Sequence, residues 1–354
     1  MPPIALFDLA VGFIVAFLAS YAVCRVMVQS GPIDKPDAAR KNHAAPTPTS
    51  GGVGVAAGLA VGLVVLVMLP NAWRDSIMPE GVRLLSRSLI FAYVFLFLGF
   101  IDDIWPLEPR LKIAVFMAIA LAAANATFVV ATLPFGEYFV LQLPFALGLA
   151  GTALWIFVLV NVVNFTDGVN GLAMGSMAVA MLALAAVSFV YGSASGSGIA
   201  LCAAGALGGF LIWNAPAGRL FAGDAGALFV GALGALVSLL VIRRTGVSAF
   251  VPALAVLPLL ADSILTILWR LAGGAKLLEG HSEHIYQLLV RKAGWSHVRT
   301  ARLYWLATAL CAAAAFGAAM YSHGAYACFV FGFFLLVAVA IVALVRARLH
   351  VAPQ

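Results

Sequence analysis

Carboxylate side chains stand at the ends of apolar stretches in this sequence of 354 residues. Asp102 and Asp103 follow one such stretch directly, in the segment DDIWPLEPRLK. Two adjacent carboxylates repel each other and lose solvation beside an apolar medium, so they need a counter-charge such as Mg²⁺ or Lys112. The alternative is a pair of solvated residues at the end of a helix.

A second segment, NVVNFTDGVNGLA, contains four polar side chains spaced by three residues: Asn161, Asn164, Asp167 and Asn170. On a helix this spacing places them on one face, and the glycine after Asp167 and after Asn170 permits close approach of the backbone. Asparagine caps at helix ends would account for one or two of the four. The whole set indicates a binding or catalytic site.

A third segment, WNAPAGRLFAGDAGALFVG, supplies Asn214, Phe221 and Asp224, and a glycine precedes the acid. A Gly-Asp-x-Gly turn at the start of a helix suits a metal-bound diphosphate, because unpaired backbone N–H groups and a carboxylate-bound Mg²⁺ can both face the phosphates. A simple helix cap at Asp224 is the alternative, since this motif alone has low specificity.

Three further polar features lie outside these segments. Lys41 belongs to a basic loop after the first apolar stretch, which suits phosphate or anionic lipid headgroups. His281 and His284 stand three apart in a late polar loop, a spacing that fits one metal ion but is more often a polar helix face. Asp262 lies inside an apolar stretch, where a carboxylate should face a polar cavity or a partner.

The composition of the chain requires a bilayer as its solvent. Hydrophobic residues make up 64% of the chain and charged residues 10%, with a mean hydropathy of +1.08. Runs of roughly 17 to 23 apolar residues suffice to cross about 30 Å of hydrocarbon as helices, and they lack the alternation of a β-barrel. The net charge of +6 comes from residues between these runs, so no nucleic-acid partner is expected.

The chain is predicted to be all-α, one transmembrane domain over residues 1–354 with about eleven spans. The spans fall near 5–28, 51–69, 87–104, 111–133, 146–164, 172–191, 198–214, 226–242, 249–271, 302–322 and 325–347. Fifteen of the 20 Lys and Arg residues then lie on one side, which predicts an outer N-terminus and a cytoplasmic C-terminus, with Arg243 and Arg244 as exceptions. The predicted active site is formed by cytoplasmic loops at about 30–50, 102–110, 165–171, 215–225 and 272–301.

Five segments in this order resemble the polyprenyl-phosphate N-acetylhexosamine-1-phosphate transferases, glycosyltransferase family 4. They are PTPTSGG (46–52), DDIWPLEPRLK (102–112), NVVNFTDGVNGL (161–172), FAGDAG (221–226) and HSEHIYQLL (281–289). That superfamily includes the phospho-N-acetylmuramoyl-pentapeptide transferase of peptidoglycan synthesis and the enzymes that start O-antigen, enterobacterial common antigen and teichoic acid linkage units. The chain carries Asn170 where the muramoyl branch typically carries Asp, and it carries HSEH at 281–284. Both features make it more similar to the O-antigen-initiating branch.

The resemblance implies a reaction at the cytoplasmic face of the bacterial inner membrane. Undecaprenyl phosphate would attack the sugar-side phosphorus of a UDP-amino sugar, carrying N-acetylglucosamine or a 6-deoxy-N-acetylhexosamine, and release UMP. The undecaprenyl-diphosphate sugar would initiate a cell-envelope polysaccharide such as the O-antigen of lipopolysaccharide. Phosphoryl transfer of this kind needs positioning and charge neutralisation more than covalent chemistry.

The resemblance also implies roles for the polar side chains. Asp224 would bind Mg²⁺, for which Mn²⁺ could substitute, and Asp167 would support the nucleotide or metal site. Asp102 or Asp103 would bind or deprotonate the lipid phosphate, with Asp102 favoured. The substrate-binding side chains would be Lys41, Asn164, Asn170, Asn214, Phe221, His281 and His284, with Asn170, Asn214 and Phe221 around the uridine, Phe221 stacked on the base, and the histidines on the diphosphate or sugar.

A membrane transporter is the alternative from another class of protein, because it too would place acids and broken helices in the bilayer. It predicts acids near the midplane and repeated halves, whereas only Asp262 is a candidate for an acid near the midplane and no internal repeat is evident. A structural scaffold would not need the clustered acids. A homodimer stays open, since a dimer face of apolar helices has the same composition as a lipid face.

Overall fold

Apolar helices form most of the chain that the computed structural model describes, which is residues 6–30, 33–34, 47–68, 72–276 and 281–349. In chain order they are α1 (Leu6–Ser30), α2 (Gly51–Met68), α3 (Ala72–Ser76), α4 (Pro79–Ile104), α5 (Pro109–Ala126), α6 (Phe145–Thr166), α7 (Leu172–Val190), α8 (Ala194–Asn214), α9 (Gly223–Thr245), α10 (Phe250–Ala255), α11 (Leu257–Ala272), α12 (Ile285–Arg291), α13 (His297–Met320) and α14 (Ala327–Arg348), with a 3₁₀ turn at Ser322–Gly324. Within these described ranges, ten helices are long and apolar enough to cross a membrane. The prediction of an all-α, polytopic membrane protein is confirmed.

Two of the predicted spans have clearly different bounds in the structure. α4 begins at Pro79 rather than near residue 87, because its first turns carry Glu80 and Arg83, which an apolar window excludes. Proline at the first helical position is favourable because its missing N–H would have no partner there. α5 ends at Ala126 rather than near residue 133, and the chain continues into a hairpin.

The structure corrects the ninth predicted span, 249–271, which is divided into α10 and α11. The chain leaves helical geometry at Val256, with φ −111° and ψ 9°, and Pro258 lies in the first turn of α11. Within a continuous helix, Pro258 would lack the N–H that bonds to the carbonyl four residues earlier, and its ring would clash with that carbonyl. Pro258 is therefore the residue in the sequence that indicates a break in the helix here.

Four short strands form two antiparallel pairs. They are β1 (Ile33–Asp34) with β2 (Thr47–Pro48), and β3 (Thr132–Pro134) with β4 (Val140–Gln142). The β3–β4 hairpin contacts the turn between α13 and α14, where the Gly136 N–H donates to the Ala325 carbonyl at 2.8 Å. The β1–β2 pair fixes the chain immediately before α2.

Helix α9 is the central helix of the bundle. In its most apolar window 94% of the residues are buried, against 6% for the peripheral α14. Glycines permit neighbouring helices to approach it closely: a Cβ on Gly52 would lie 2.3 Å from the Cα of Gly226, and one on Gly99 would lie 2.5 Å from the Cα of Ala225. Small residues at such crossings are typical of packed membrane helices. The ends of α2 and α4 are thereby brought to the start of α9.

The two arginines that depart from the predicted charge asymmetry are paired at the other end of α9. Arg243 Nη2 lies 2.8 Å from Glu80 Oε1, and Arg244 Nη1 lies 3.1 Å from Glu80 Oε2. One carboxylate therefore bonds to two guanidinium groups. This local ion pairing supplies a physical reason for the two exceptions.

Candidate active site

Four of the polar residues singled out from the sequence meet where three spanning helices end. Asp102 and Asp103 lie in the last turn of α4, Asn164 in the last turn of α6, and Asp224 in the first turn of α9. The Asn164 side-chain amide donates to Asp224 Oδ1 at 2.9 Å. The three acids, called here the acid cluster (Asp102, Asp103 and Asp224), are far apart in sequence and are assembled by helix packing.

Asp103 holds the start of α9. Its two carboxylate oxygens accept backbone N–H groups from Asp224, at 2.9 Å, and from Ala225, at 3.1 Å. An acid at a helix N-terminus satisfies unpaired N–H groups and is favoured by the helix dipole. Gly223 has φ +72°, and a Cβ there would lie 2.8 Å from Asp103 Oδ2 and 2.3 Å from the Thr49 carbonyl, so glycine is required at this turn.

Lys112 is the counter-charge of the acid cluster. Asp102 is buried, with 4% of its surface exposed, and its Oδ1 accepts the Leu107 N–H at 2.8 Å while its Oδ2 is ion-paired with Lys112. The Lys112 ammonium also lies 3.6 Å from Asp224 Oδ2. One ammonium from the first turn of α5 therefore connects two of the three acids.

Asp167 follows α6 directly and has an unusual protonation equilibrium. Desolvation raises the pKa of the Asp167 carboxyl well above its ordinary value, and the nearby charge of Asp224 raises it further. A carboxyl of this kind keeps its proton to higher pH than an exposed one. Perturbed acids cluster at functional sites, because a site that acts on charge must hold charged groups in low-dielectric surroundings.

Asp167→Asn should stabilise the metal-free protein increasingly as the pH rises. Because the folded pKa of Asp167 lies above its unfolded value, its contribution to stability is fully present below the unfolded pKa and is lost as the pH rises through the folded pKa. Thermal unfolding in detergent with EDTA, from pH 5 to pH 8, measures this difference. A difference between variant and wild type that does not change with pH would show that Asp167 titrates normally.

The Asn214 side-chain amide connects the loop after α6 to the loop before α9. Its Oδ1 accepts the Gly171 N–H at 2.5 Å, and its Nδ2 donates to the Leu220 carbonyl at 2.9 Å. Asn170 lies beside the second loop, since a Cβ on Gly218 would be 2.5 Å from Asn170 Nδ2. Asn214 is 4% exposed, so its contacts are with the chain itself.

Phe221 connects this loop to the segment before α2. Its N–H donates to the Pro48 carbonyl at 2.8 Å, and its carbonyl accepts the Gly51 N–H at 2.9 Å. The Gly52 N–H donates to the Ala222 carbonyl at 3.0 Å. The PTPTSGG and FAGDAG segments are thus interlocked through their backbones. Lys41, from the preceding loop, lies outside the described residues.

The segment that contains His281 and His284 contacts the end of α6 and the following loop through Tyr286. The Tyr286 hydroxyl donates to the Phe165 carbonyl at 2.8 Å, and a Cβ on Gly168 would lie 2.4 Å from that hydroxyl. The rings of His281 and His284 are 4.9 Å apart. Burial, with the adjacent His284 and basic side chains, lowers the pKa of His281 to about 4, so this imidazole is neutral at pH 7.

The acid cluster fits a Mg²⁺ ion held mainly by its substrate. Among the described residues no group of three or more His, Cys, Asp or Glu side chains is arranged to hold a metal ion by itself. Mg²⁺ in phosphate-binding sites is commonly held by one or two carboxylates, with phosphates and waters as its other ligands. The Asp224 side chain is 38% exposed, and its Oδ1 accepts a hydrogen bond from the Asn164 amide.

Two aromatic residues beside the site gave no signal in the sequence. The Trp305 indole N–H donates to the Gly171 carbonyl at 2.8 Å, and the Tyr304 hydroxyl donates to Asp262 at 2.6 Å. Both lie in the apolar run of α13, where an aromatic residue ordinarily indicates packing alone. Tyr286 was visible within the HSEHIYQLL segment, but its type and position did not indicate a contact with the loop after α6.

Comparison with known proteins assigns the family. Residues 86–242 match the family model described as glycosyl transferase family 4. The chain is 32% identical over 281 residues to the phospho-N-acetylmuramoyl-pentapeptide-transferase of Desulforudis audaxviator (strain MP104C), covering 73% of this chain and 80% of that one. It is 28% identical over 347 residues to the enzyme of that name from Mycobacterium avium (strain 104), covering 86% and 94%.

A relative whose name gives a different transferred group aligns over a similar share of both chains. The chain is 24% identical over 298 residues to the probable undecaprenyl-phosphate N-acetylglucosaminyl 1-phosphate transferase of Bacillus subtilis (strain 168), covering 82% of this chain and 79% of that one. The matched region of the family model contains the acid cluster, Lys112 and the loop after α6. With its spanning helices, its assembled acids and these relatives, the chain belongs to glycosyl transferase family 4.

Proposed function

We propose that this protein transfers an N-acetylhexosamine 1-phosphate from a UDP-sugar to undecaprenyl phosphate, giving UMP and an undecaprenyl-diphosphate sugar. The observation that carries the proposal is the acid cluster with Lys112, assembled at one end of three spanning helices. A lipid phosphate at the bilayer boundary and a water-soluble nucleotide can both reach such a place. Fixed charges held in advance are what phosphoryl transfer requires from a protein.

In this proposal Asp224 is the carboxylate that holds Mg²⁺, with Mn²⁺ as a substitute. When bound, the ion would neutralise charge on the diphosphate. Asn164 fixes the orientation of Asp224 through the 2.9 Å hydrogen bond, and Asp103 fixes its backbone. Asp103 is therefore a positioning residue, because both of its oxygens are engaged by α9.

Asp102 and Lys112 are proposed to orient the lipid phosphate. A phosphate monoester has a second pKa of about 6, so it is largely a dianion at neutral pH and needs little help to lose a proton. The greater need is a cation that draws the two anionic substrates together. Asp102 holds the Lys112 ammonium beside Asp224 and thereby places that cation.

The nucleotide is proposed to lie between the loops joined by Asn214. Asn170 and Phe221 belong to the two loops, and Phe221 is only partly buried, which leaves ring surface for a base. Asn214 holds the walls together through its two backbone hydrogen bonds. Asp167 would support the nucleotide or metal, and the neutral His281, with His284, would contact the diphosphate or sugar.

The proposed location is the bacterial inner membrane, with the acid cluster on the cytoplasmic side. The excess of Lys and Arg on that side supports this orientation. Initiation of O-antigen or of another envelope polysaccharide belongs to the same proposal, as does a homodimer in the bilayer. Asn170 and the HSEH sequence support this branch of the family.

Transfer of phospho-N-acetylmuramoyl-pentapeptide is the second candidate, and the names of two of the relatives favour it. A panel of UDP-sugars, including UDP-N-acetylmuramoyl-pentapeptide, distinguishes the two candidates when UMP is measured with purified protein, undecaprenyl phosphate and Mg²⁺. We expect UMP from a UDP-N-acetylhexosamine and none without the lipid. Turnover with the pentapeptide substrate alone would replace the first candidate by the second, and no turnover with any member of the panel would refute both.

A further inference from the structure

A second polar network, separate from the acid cluster, surrounds the buried Asp262 in α11. The Asp262 side chain accepts the Ile285 N–H at 2.7 Å, the Tyr286 N–H at 3.3 Å and the Tyr304 hydroxyl at 2.6 Å. Asp262 is 3% exposed, and His284 Nδ1 lies 3.6 Å from its Oδ1. The carboxylate that the sequence marked as needing a partner thus binds the start of α12.

Two buried arginines contact Glu283, two residues before α12. Arg346 Nη2, from the last turn of α14, donates to the Glu283 carbonyl at 3.0 Å and to Thr266 Oγ1 at 2.9 Å. Arg270 Nε lies 3.2 Å from Glu283 Oε2. Glu283, Arg270 and Arg346 are each at most 9% exposed, so these contacts are shielded from water.

Helix α12 depends on these contacts for its position. It spans only Ile285–Arg291, and a helix of this length is unstable alone in water. Its second residue, Tyr286, then donates to the Phe165 carbonyl and packs on Gly168. A continuous chain of contacts therefore runs from Asp262 through α12 to the segment 165–168, which contains Asp167.

We propose that Asp262 is a positioning residue for Asp167, acting through the start of α12 and the Tyr286 hydroxyl. The inference rests on the proposed function, in which Asp167 supports the bound nucleotide or metal. Asp262 touches no substrate in this account. It holds a short helix whose tyrosine fixes the Phe165 carbonyl, two residues before Asp167, and thereby positions the Asp167 side chain.

Hydrogen exchange of the purified, substrate-free protein tests the structural half of this proposal. Asp262→Asn should raise exchange about tenfold or more in peptides covering 285–291 and in those covering 165–171, because the first helix turn loses its carboxylate. Tyr286→Phe should raise exchange at 165–171 alone. Thr308→Val should change neither region, since it removes a buried hydroxyl, one turn from Tyr304, that has no hydrogen-bond partner among the described residues.

Turnover in a double-mutant cycle tests the functional half. Each of Asp262→Asn and Tyr286→Phe should lower kcat on the order of 10- to 100-fold, since small displacements of a positioned group have effects of this size. If the two act in one chain, the double variant should be no slower than the slower single variant. Multiplying effects, as from two independent losses of stability, would overturn the proposal.

Hydrogen exchange and turnover together distinguish failure of the positioning role from failure of the proposed function. Unchanged exchange at 165–171 in Asp262→Asn would overturn the positioning role even if the enzyme is active. If wild-type protein releases no UMP from any UDP-sugar, the proposed function fails, and the exchange measurement still decides whether Asp262 controls the segment that contains Asp167.

Discussion

Asp224→Asn should lower UMP release by at least roughly 10³-fold while the protein stays folded. The substitution keeps the size of the side chain and its proximity to Asn164, but it removes the charge proposed to hold Mg²⁺. Loss of a charge that stabilises phosphoryl transfer has effects of this order. Initial rates of UMP formation at saturating undecaprenyl phosphate measure the loss, and the thermal midpoint in detergent reports the fold.

Glu108→Gln is the matched control for this substitution. Glu108 is an acid near the same helix ends, its side chain is 63% exposed, and the Arg110 Nε lies 4.0 Å from its Oε1. Its removal should leave turnover within about twofold, because exposed pairs at such distances contribute little. Normal turnover by Asp224→Asn would remove Asp224 from the proposed metal site.

Lys112→Met should impair both stability and turnover. The Asp102 side chain is 1% exposed, and without the ammonium its charge would be buried with no cation from the described residues in contact. Removing one partner of a fully buried pair costs about 3–5 kcal/mol. Because the Lys112 side chain is 30% exposed and water can reach it, we expect a smaller loss in the free energy of unfolding, about 1–2 kcal/mol. Turnover should fall on the order of 10²-fold through loss of the bridging cation.

A double variant separates the two effects of Lys112. In Lys112→Met with Asp102→Asn, the buried Asp102 charge is removed together with its cation, so stability should return towards that of wild type while turnover stays low. Arg110→Met is the control, since Arg110 is 82% exposed on the same helix turn. If Lys112→Met were as stable and active as Arg110→Met, Lys112 could not be the counter-charge of the acid cluster.

The side chains of the candidate site could be named from the sequence more readily than the contacts between them. Asp102 and Asp103 were identifiable because adjacent carboxylates beside an apolar span need a counter-charge, and Lys112 was one of two named counter-charges. Asp224 was identifiable from its Gly-Asp-x-Gly turn at the start of a helix. The meeting of these acids depends on close helix crossings such as Gly52 against Gly226, which no local pattern reveals. Asp103 was named beside Asp102 as a candidate for binding the lipid phosphate, yet its oxygens accept hydrogen bonds from the backbone of a helix 121 residues away in sequence.

The partner of Asp262 likewise could not be identified from the sequence. Burial cost predicted that a partner must exist, and the structure confirms one. Its identity depended on Tyr304, which lies 42 residues further along inside an apolar run, and on the start of α12. The β3–β4 hairpin was also missed, because strands of three residues are too short to produce a recognisable alternation. The orientation in the membrane stays a prediction from the charge distribution.

The destination of the sugar-side phosphorus tests the central claim most directly. Purified protein would be given undecaprenyl phosphate, Mg²⁺ and a UDP-N-acetylhexosamine labelled at the phosphorus next to the sugar, and the label would be followed into lipid and aqueous phases. Attack on that phosphorus breaks the bond between the two phosphates, so the label should appear in the lipid and unlabelled UMP in water. Label remaining in water as UDP, or a lipid phase without label, would contradict the account.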